Sequence, residues 1–141
     1  WMPEYVKNKG VDLENAPAIQ MKEYIYDMPT VMAAADVVIS RAGASSCNEI
    51  AASGTPSVLI PSPNVTDNHQ EKNARALERS GGAVVILEKD CTAKLIKEHI
   101  DRMTEDKDRY EQMGKALFSM VTPDSAEQVC RIMEELIKGS K

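Results

Sequence analysis

The stretch from Val37 to Pro61 constrains this chain more than any other part of it. Val37–Ser40 is apolar and β-branched and reads as a buried strand. A turn containing Gly43 follows, then a helix over Ser46–Ser53 with Gly54 as its stop and Pro56 just beyond. Ser57–Ile60 reads as a second buried strand. This is a β-α-β unit whose turn lies at a strand's carboxyl end, where open α/β sheets bind ligands. The turn runs into a helix N-terminus, whose free N–H groups and positive dipole end attract phosphate.

The rest of the chain extends that pattern. Trp1–Pro17 is polar and shows no clear element, although Tyr5, Val6 and Leu13 could pack. Ile19–Tyr24 alternates and reads as a strand, and Ile25–Asp27 as a turn. Asp27 can cap a short helix with Pro29 in its first turn, running to about Ala35. Pro61–Thr66 reads as a loop, Asp67 to about Ser80 as a helix stopped by Gly81-Gly82, and Ala83–Leu87 as a buried strand. Three helices follow. The first opens at Thr92 with Leu95, Ile96, Ile100 and Met103 inward. The second, from about Lys107 to Met120, buries Tyr110, Met113, Ala116 and Leu117. The third starts at Asp124 or Ser125 and carries Val129, Cys130, Met133, Leu136 and Ile137 along one face. Four strands with intervening helices make a Rossmann-like parallel sheet with helices on both faces, an α/β fold. The first strand of such a sheet, with its glycine fingerprint, is not found, so the chain reads as a fragment. It divides into a lead-in (1–17), a sheet with its site (18–90) and C-terminal helices (91–141).

Composition narrows the function. With 141 residues the chain suggests one domain, and 43% apolar against 28% charged residues is the balance of a soluble globular protein. The net charge is −5, from 17 basic and 22 acidic residues, with no basic stripe, which argues against a nucleic-acid partner. No apolar run approaches membrane-spanning length and no signal peptide is visible at Trp1–Gly10. Cys47, Cys91 and Cys130 are odd in number and widely spaced, as expected of reduced thiols in a cytoplasmic protein. They form no ligand-spaced group with His69 and His99, so no metal site is expected.

Two clusters could carry chemistry, and each has a plain structural alternative. Gly43, Ala44, Ser45 and Ser46 could cradle a phosphate, with Gly43 free to adopt positive φ; alternatively Gly43 makes a tight turn and Ser46 caps a helix. Glu49 could accept hydrogen bonds from both hydroxyls of a ribose, or Ser46 and Glu49 could form a capping box. The same ambiguity recurs at Asp67-Asn68-His69-Gln70, where Asp67 and Gln70 have capping-box spacing. Yet His69, Gln70 and Asn73 share one helix face, more polar groups than a cap requires, and could read sugar hydroxyls. Arg41 could face a diphosphate, or be a solvated charge or a structural ion pair. His99, mid-helix between charged residues, reads as a surface residue.

These residues carry a resemblance. Ala34–Ala44, with Arg41-Ala42-Gly43-Ala44, then Glu49–Pro56, Ile60-Pro61, and Asn68-His69-Gln70 followed by Asn73-Ala74, closely resemble the C-terminal domain of the MurG family. These are bacterial UDP-N-acetylglucosamine transferases of the two-domain GT-B fold that convert lipid I to lipid II for peptidoglycan. The resemblance runs from about Ile19 to the C-terminus. It implies a site for UDP-N-acetylglucosamine as donor substrate, with no cofactor or metal required. The loop matching Ile25–Met28 would contact uracil, the turn matching Gly43–Ser46 the diphosphate, Glu49 the ribose, and His69 and Gln70 the N-acetylglucosamine. His69 is one departure, since some members carry glutamine there.

The resemblance also implies what this chain lacks. Catalytic residues and the lipid I site are expected in an N-terminal domain outside it, and the protein is expected at the cytoplasmic face of the bacterial plasma membrane, peripherally bound. The chain alone should bind donor weakly or not at all and should not catalyse transfer. The last helix would cross toward the missing domain, so its apolar face could drive self-association. Two other functions fit the pattern: the donor domain of a related GT-B enzyme, such as a diacylglycerol glucosyltransferase, or a stand-alone nucleotide-sugar-binding subunit.

Overall fold

The computed structural model describes residues 2–10, 12 and 15–139. Three short parallel strands form the sheet, in the order β1 (Val38–Ser40), β2 (Ser57–Leu59) and β3 (Ala83–Val85). The register sets Ile39 beside Val58 beside Val84, and Ser40 beside Leu59 beside Val85. Because side chains alternate across a strand, each row belongs to one face of the sheet.

Both faces are covered by helices. On one, Val38, Leu59, Ala83 and Val85 meet Cys47 and Ile50 of α3 (Ala44–Ser53), Ala74 and Leu77 of α4 (His69–Ser80), and Met32 of α2 (Met28–Ala34). On the other, Val58, Val84 and Ile86 meet Leu95, Ile96, Ile100 and Met103 of α5 (Ala93–Glu105). Helix α6 (Lys107–Phe118) supplies Leu117 to the first cluster and Met113 to the second. It runs beneath the amino ends of the strands. The Tyr110 hydroxyl donates to Asp36 O, just before β1, at 2.8 Å. Gly54, which precedes β2, and Gly82, which precedes β3, leave room for Phe118 and Leu117 respectively. The carboxyl ends of the strands therefore form the open end of the sheet.

Several helix ends follow the sequence closely. Asp27 caps α2 by accepting from Thr30 N at 3.4 Å, and Thr92 caps α5 by accepting from Leu95 N at 3.2 Å. Gly54 and Gly81 end α3 and α4 in the left-handed conformation, with φ of 66° and 91°.

Other expectations need correction. Ile19–Tyr24 is not a strand. Its alternation is real, but a strand exists through pairing, and Ile19, Met21 and Tyr24 are exposed with no neighbour strand beside them. The sheet therefore has three strands, not four. The lead-in does contain an element: α1 (Met2–Asn8), with Glu4 in its first turn and Lys7 in its last, both favourable to the helix dipole. The packing expected of Tyr5 and Leu13 lies outside the described side chains. His99 is half-buried on α5 rather than fully at the surface. The last helix, α7 (Ser125–Gly139), leaves its apolar stripe open. Val129, Ile132, Met133, Leu136 and Ile137 are each more than half exposed, up to 68% at Ile137.

Candidate functional site

The site grows out of the open end of the sheet. After β1 the chain turns through Arg41, Ala42 and Gly43 into α3. Gly43 is the N-cap, with φ −62° and ψ 153°, and no side chain caps the helix. The first intrahelical bond runs from Cys47 N to Gly43 O at 2.9 Å. The N–H groups of Ala44, Ser45 and Ser46 therefore precede the ladder and have no helical acceptor. Ala44 and Ser45 are exposed and Ser46 half-buried. Positive φ, the conformation anticipated for Gly43, is not used. What its missing side chain provides is access: a Cβ there would meet only Ser46 Oγ, at 3.8 Å.

The early start of α3 removes the capping box. With Gly43 as N-cap, Ser46 is the third helical residue and Glu49 lies in the second turn. Glu49 is exposed, and no hydrogen bond or ion pair engages it among the described residues. A carboxylate one turn above three free N–H groups suits a ligand that is anionic at one end and hydroxylated at the other.

The second expected box is also absent. Asp67 and Asn68 adopt left-handed backbone, φ 55° and 50°, in a 3-10 turn, and α4 begins at His69. Asp67 pairs with Lys72 at 2.7 Å. Gln70 Oε1 accepts from Ser62 N at 2.9 Å, which ties α4 to the loop after β2. Asn73 Nδ2 donates to Ala42 O at 3.2 Å, which ties α4 to the loop after β1. His69 is exposed, and its Nδ1 lies 2.7 Å from Thr66 O. A carbonyl only accepts, so Nδ1 donates to it and Nε2 is left free of the scaffold. Gln70 keeps its Nε2 donor and Asn73 its Oδ1 acceptor. Each of these side chains spends one polar atom on the scaffold and leaves another, a mixture that matches hydroxyl groups, which both donate and accept.

Arg41 precedes the Gly43–Ser46 turn, and its guanidinium reaches toward the ends of β2 and β3. Its Nη1 donates to Ile60 O at 3.2 Å and forms an ion pair with Glu88, in the 3-10 turn after β3. Arg41 lines an open groove of about 430 Å³ with Ile39, Ile60 and Cys91. Ile60 and Cys91 pack in the cluster on the α5 side, whereas Ala42 packs on the α3 side. The structural ion pair is thus the arrangement present. Ile25 is half-buried and Met28, the first residue of α2, is 37% exposed. The Tyr24 and Tyr26 rings flank Ile25 and meet edge to face, 4.8 Å between centroids.

Two site-shaping residues give no local signal in the sequence. Glu88 reaches Arg41 across the strand ends. Buried Thr55 donates from Oγ1 to Met32 O at 2.8 Å and so holds α2, which carries the Ile25–Met28 loop, against the start of β2. Both contacts are long-range, and no periodicity foreshadows them. Beneath the turn, burial raises the Cys47 thiol pKa above its ordinary value of 9.0. Cys47 is therefore a neutral core group under α3, not a reactive one.

Comparison with known proteins identifies the family of the chain. Residues 3–129 match the family model for the glycosyltransferase family 28 C-terminal domain. The chain is 46% identical over 131 residues to the UDP-N-acetylglucosamine–N-acetylmuramyl-(pentapeptide) pyrophosphoryl-undecaprenol N-acetylglucosamine transferase of Acetivibrio thermocellus, covering 93% of this chain and 36% of that one. It is 43% identical over 135 residues to the first such transferase of Bacillus cereus, covering 96% of this chain and 36% of that one. The crystal structure of Acinetobacter baumannii MurG is similar with a TM-score of 0.78 and 25% identity, covering 94% of this chain and 39% of that one. The chain thus spans little more than a third of the length of these relatives. Among the described residues no helix is long and apolar enough to cross a membrane. The chain belongs to the glycosyltransferase family 28 C-terminal domain family.

Proposed function

We propose that this chain is the donor-binding part of an inverting glycosyltransferase, and that its ligand is UDP-N-acetylglucosamine. The observation that carries the reading is the start of α3: three uncapped N–H groups at the open end of the sheet, with the unengaged carboxylate of Glu49 one turn above them. In this reading the Gly43–Ser46 turn takes the diphosphate, whose charge the helix dipole and amides offset. Glu49 accepts from the ribose hydroxyls. His69, Gln70 and Asn73 read the sugar, and Ile25 and Met28 border the uracil. No metal or cofactor is assigned a role.

The relatives' names suggest the sugar transferred and its acceptor, and the MurG-family resemblance suggests the rest. The whole protein would transfer N-acetylglucosamine to the pyrophosphoryl-undecaprenol-linked muramoyl pentapeptide, acting peripherally at the inner face of the plasma membrane. The acceptor's C4 hydroxyl would attack the anomeric carbon, giving its proton to a base in the acceptor-binding part of the enzyme, as the bond from that carbon to the diphosphate oxygen breaks; the α3 terminus would stabilise the departing UDP. Residues 18–90 hold the donor site and 91–141 the helical remainder. The apolar stripe of α7 would face the part of the enzyme that carries the acceptor.

Calorimetric titration tests the reading. The wild-type chain should bind UDP-N-acetylglucosamine and UDP weakly and ADP more weakly still. Glu49→Ala should lose roughly tenfold or more in affinity, the worth of hydrogen bonds to a charged group. Equal binding of UDP and ADP, or a Glu49→Ala chain that binds like wild type, would refute it.

A further inference from the structure

The fasteners at the open end of the sheet form a closed circuit. Arg41 Nη1 holds Ile60 O at 3.2 Å. Buried Pro61, whose φ is fixed by its ring, leads to Ser62. Ser62 N holds Gln70 Oε1 at 2.9 Å. One turn along α4, Asn73 returns to Ala42 O at 3.2 Å, and Ala42 adjoins Arg41. Every link is a hydrogen bond or a short stretch of backbone. Glu88 anchors the circuit from outside by pairing with the Arg41 guanidinium. That anchor matters because Arg41 is 53% exposed, and a free arginine there would sample many rotamers instead of holding Ile60.

We propose that Arg41, held by Glu88, is a positioning residue for the donor sugar. It fixes the Pro61–Ser62 loop, and through it the Gln70 carboxamide, at a set height against the Gly43–Ser46 turn. The inference rests on the donor-site reading above and adds to it a residue that does not touch the ligand. Gln70 can present its Nε2 donor in one orientation only while Ser62 N occupies its Oε1. The guanidinium shares its groove with Ile39, Ile60 and Cys91 on the α5 side, away from the α3 terminus. A direct diphosphate ligand would need the opposite placement. In that rival arrangement Glu88 would be a competitor for the guanidinium, and removing its charge would tighten UDP binding. Positioning gives the opposite sign, so the two separate cleanly.

The test uses the 141-residue chain, with amide hydrogen exchange at Ser62 and titration by UDP and by UDP-N-acetylglucosamine. Arg41→Ala should lower protection of the Ser62 amide roughly tenfold while the β2 amides keep theirs. It should weaken UDP-N-acetylglucosamine about three- to tenfold and leave UDP nearly unchanged, because only the sugar-reading rim has lost its register. Arg41→Lys should recover part of both effects. Glu88→Gln, a mild surface change that keeps the comparison valid should Arg41→Ala fold poorly, should move both in the same direction as Arg41→Ala but less. Unchanged Ser62 protection, equal losses for the two nucleotides, or tighter UDP binding in Glu88→Gln would each overturn the proposal. A wild-type chain that binds neither nucleotide would instead refute the reading that this chain holds a donor site by itself, and Ser62 exchange alone would then decide whether Arg41 sets the loop.

Discussion

At the scale of single residues, the informative ones are those whose local role turns out to be vacant. Glu49 has the spacing of a cap and does not cap, because α3 begins at Ala44. Glu49→Ala should therefore shift thermal stability by less than about 0.5 kcal/mol, as for an ordinary surface change, while abolishing most donor binding. A cap would have cost about 1 kcal/mol in the same melt. Ser57 offers a second residue-scale check. Its hydroxyl is fully buried in β2 with no hydrogen-bond partner, so Ser57→Ala should be neutral or stabilising by up to about 1 kcal/mol. Loss of stability in that variant would point to a partner the present geometry lacks. Cys47 gives a pH dependence. Its thiol pKa is raised in the folded state by burial, so the neutral form is favoured and this contribution to stability is intact below pH 9.0. It is lost as pH rises above that value toward the folded pKa. Thiol labelling at neutral pH should accordingly modify exposed Cys130 first and Cys47 last. Sequence alone named the candidate residues but not how they are used. Gln70 and Asn73 were legible as a polar face, yet their bonds to Ser62 N and Ala42 O depend on loops brought in by the sheet.

At the scale of elements, the β-α-β core was legible because its signals are local and agree with one another. Val38–Ser40, Ser57–Leu59 and Ala83–Val85 are β-branched or apolar runs bounded by turn residues, and Gly54 and Gly81 stop their helices as left-handed C-caps do. The starts of α3 and α4 were less legible than those of α2 and α5, since Ser46 and Asp67 satisfy the cap pattern yet Gly43 and Asn68 hold the position. Ile19–Tyr24 failed for a different reason: alternation records a wish to be half-buried, and pairing requires a neighbour that periodicity cannot supply. Contact between elements yields a sharp prediction at Gly54. Its φ is 66° and a Cβ would run into the Phe118 ring of α6. Gly54→Ala should cost about 1–2 kcal/mol for the backbone and about 0.5–1.5 kcal/mol for pushing the 56% exposed Phe118 ring off its rotamer, measured by denaturant unfolding. Adding Phe118→Ala should relieve the second part only.

At the scale of the whole molecule, the two ends of the sheet have divided roles. Helix α6 closes the amino end through Tyr110, Leu117 and the glycine contacts, and the carboxyl end is left to the loops that carry the candidate site. Helix α7 stands outside this arrangement, with its apolar stripe exposed. Ile137→Glu should consequently change the stability of this chain by less than about 0.5 kcal/mol, an outcome that a melting curve can contradict. The central claim is that the uncapped start of α3 is a diphosphate site. Its most direct test is the amide chemical shifts of Ala44, Ser45 and Ser46 during titration with UDP-N-acetylglucosamine. The account predicts that these three amides move together and saturably, and that Glu49→Ala, still folded, weakens the response. Shifts confined to other parts of the chain, or none at saturating ligand in a folded protein, would contradict it.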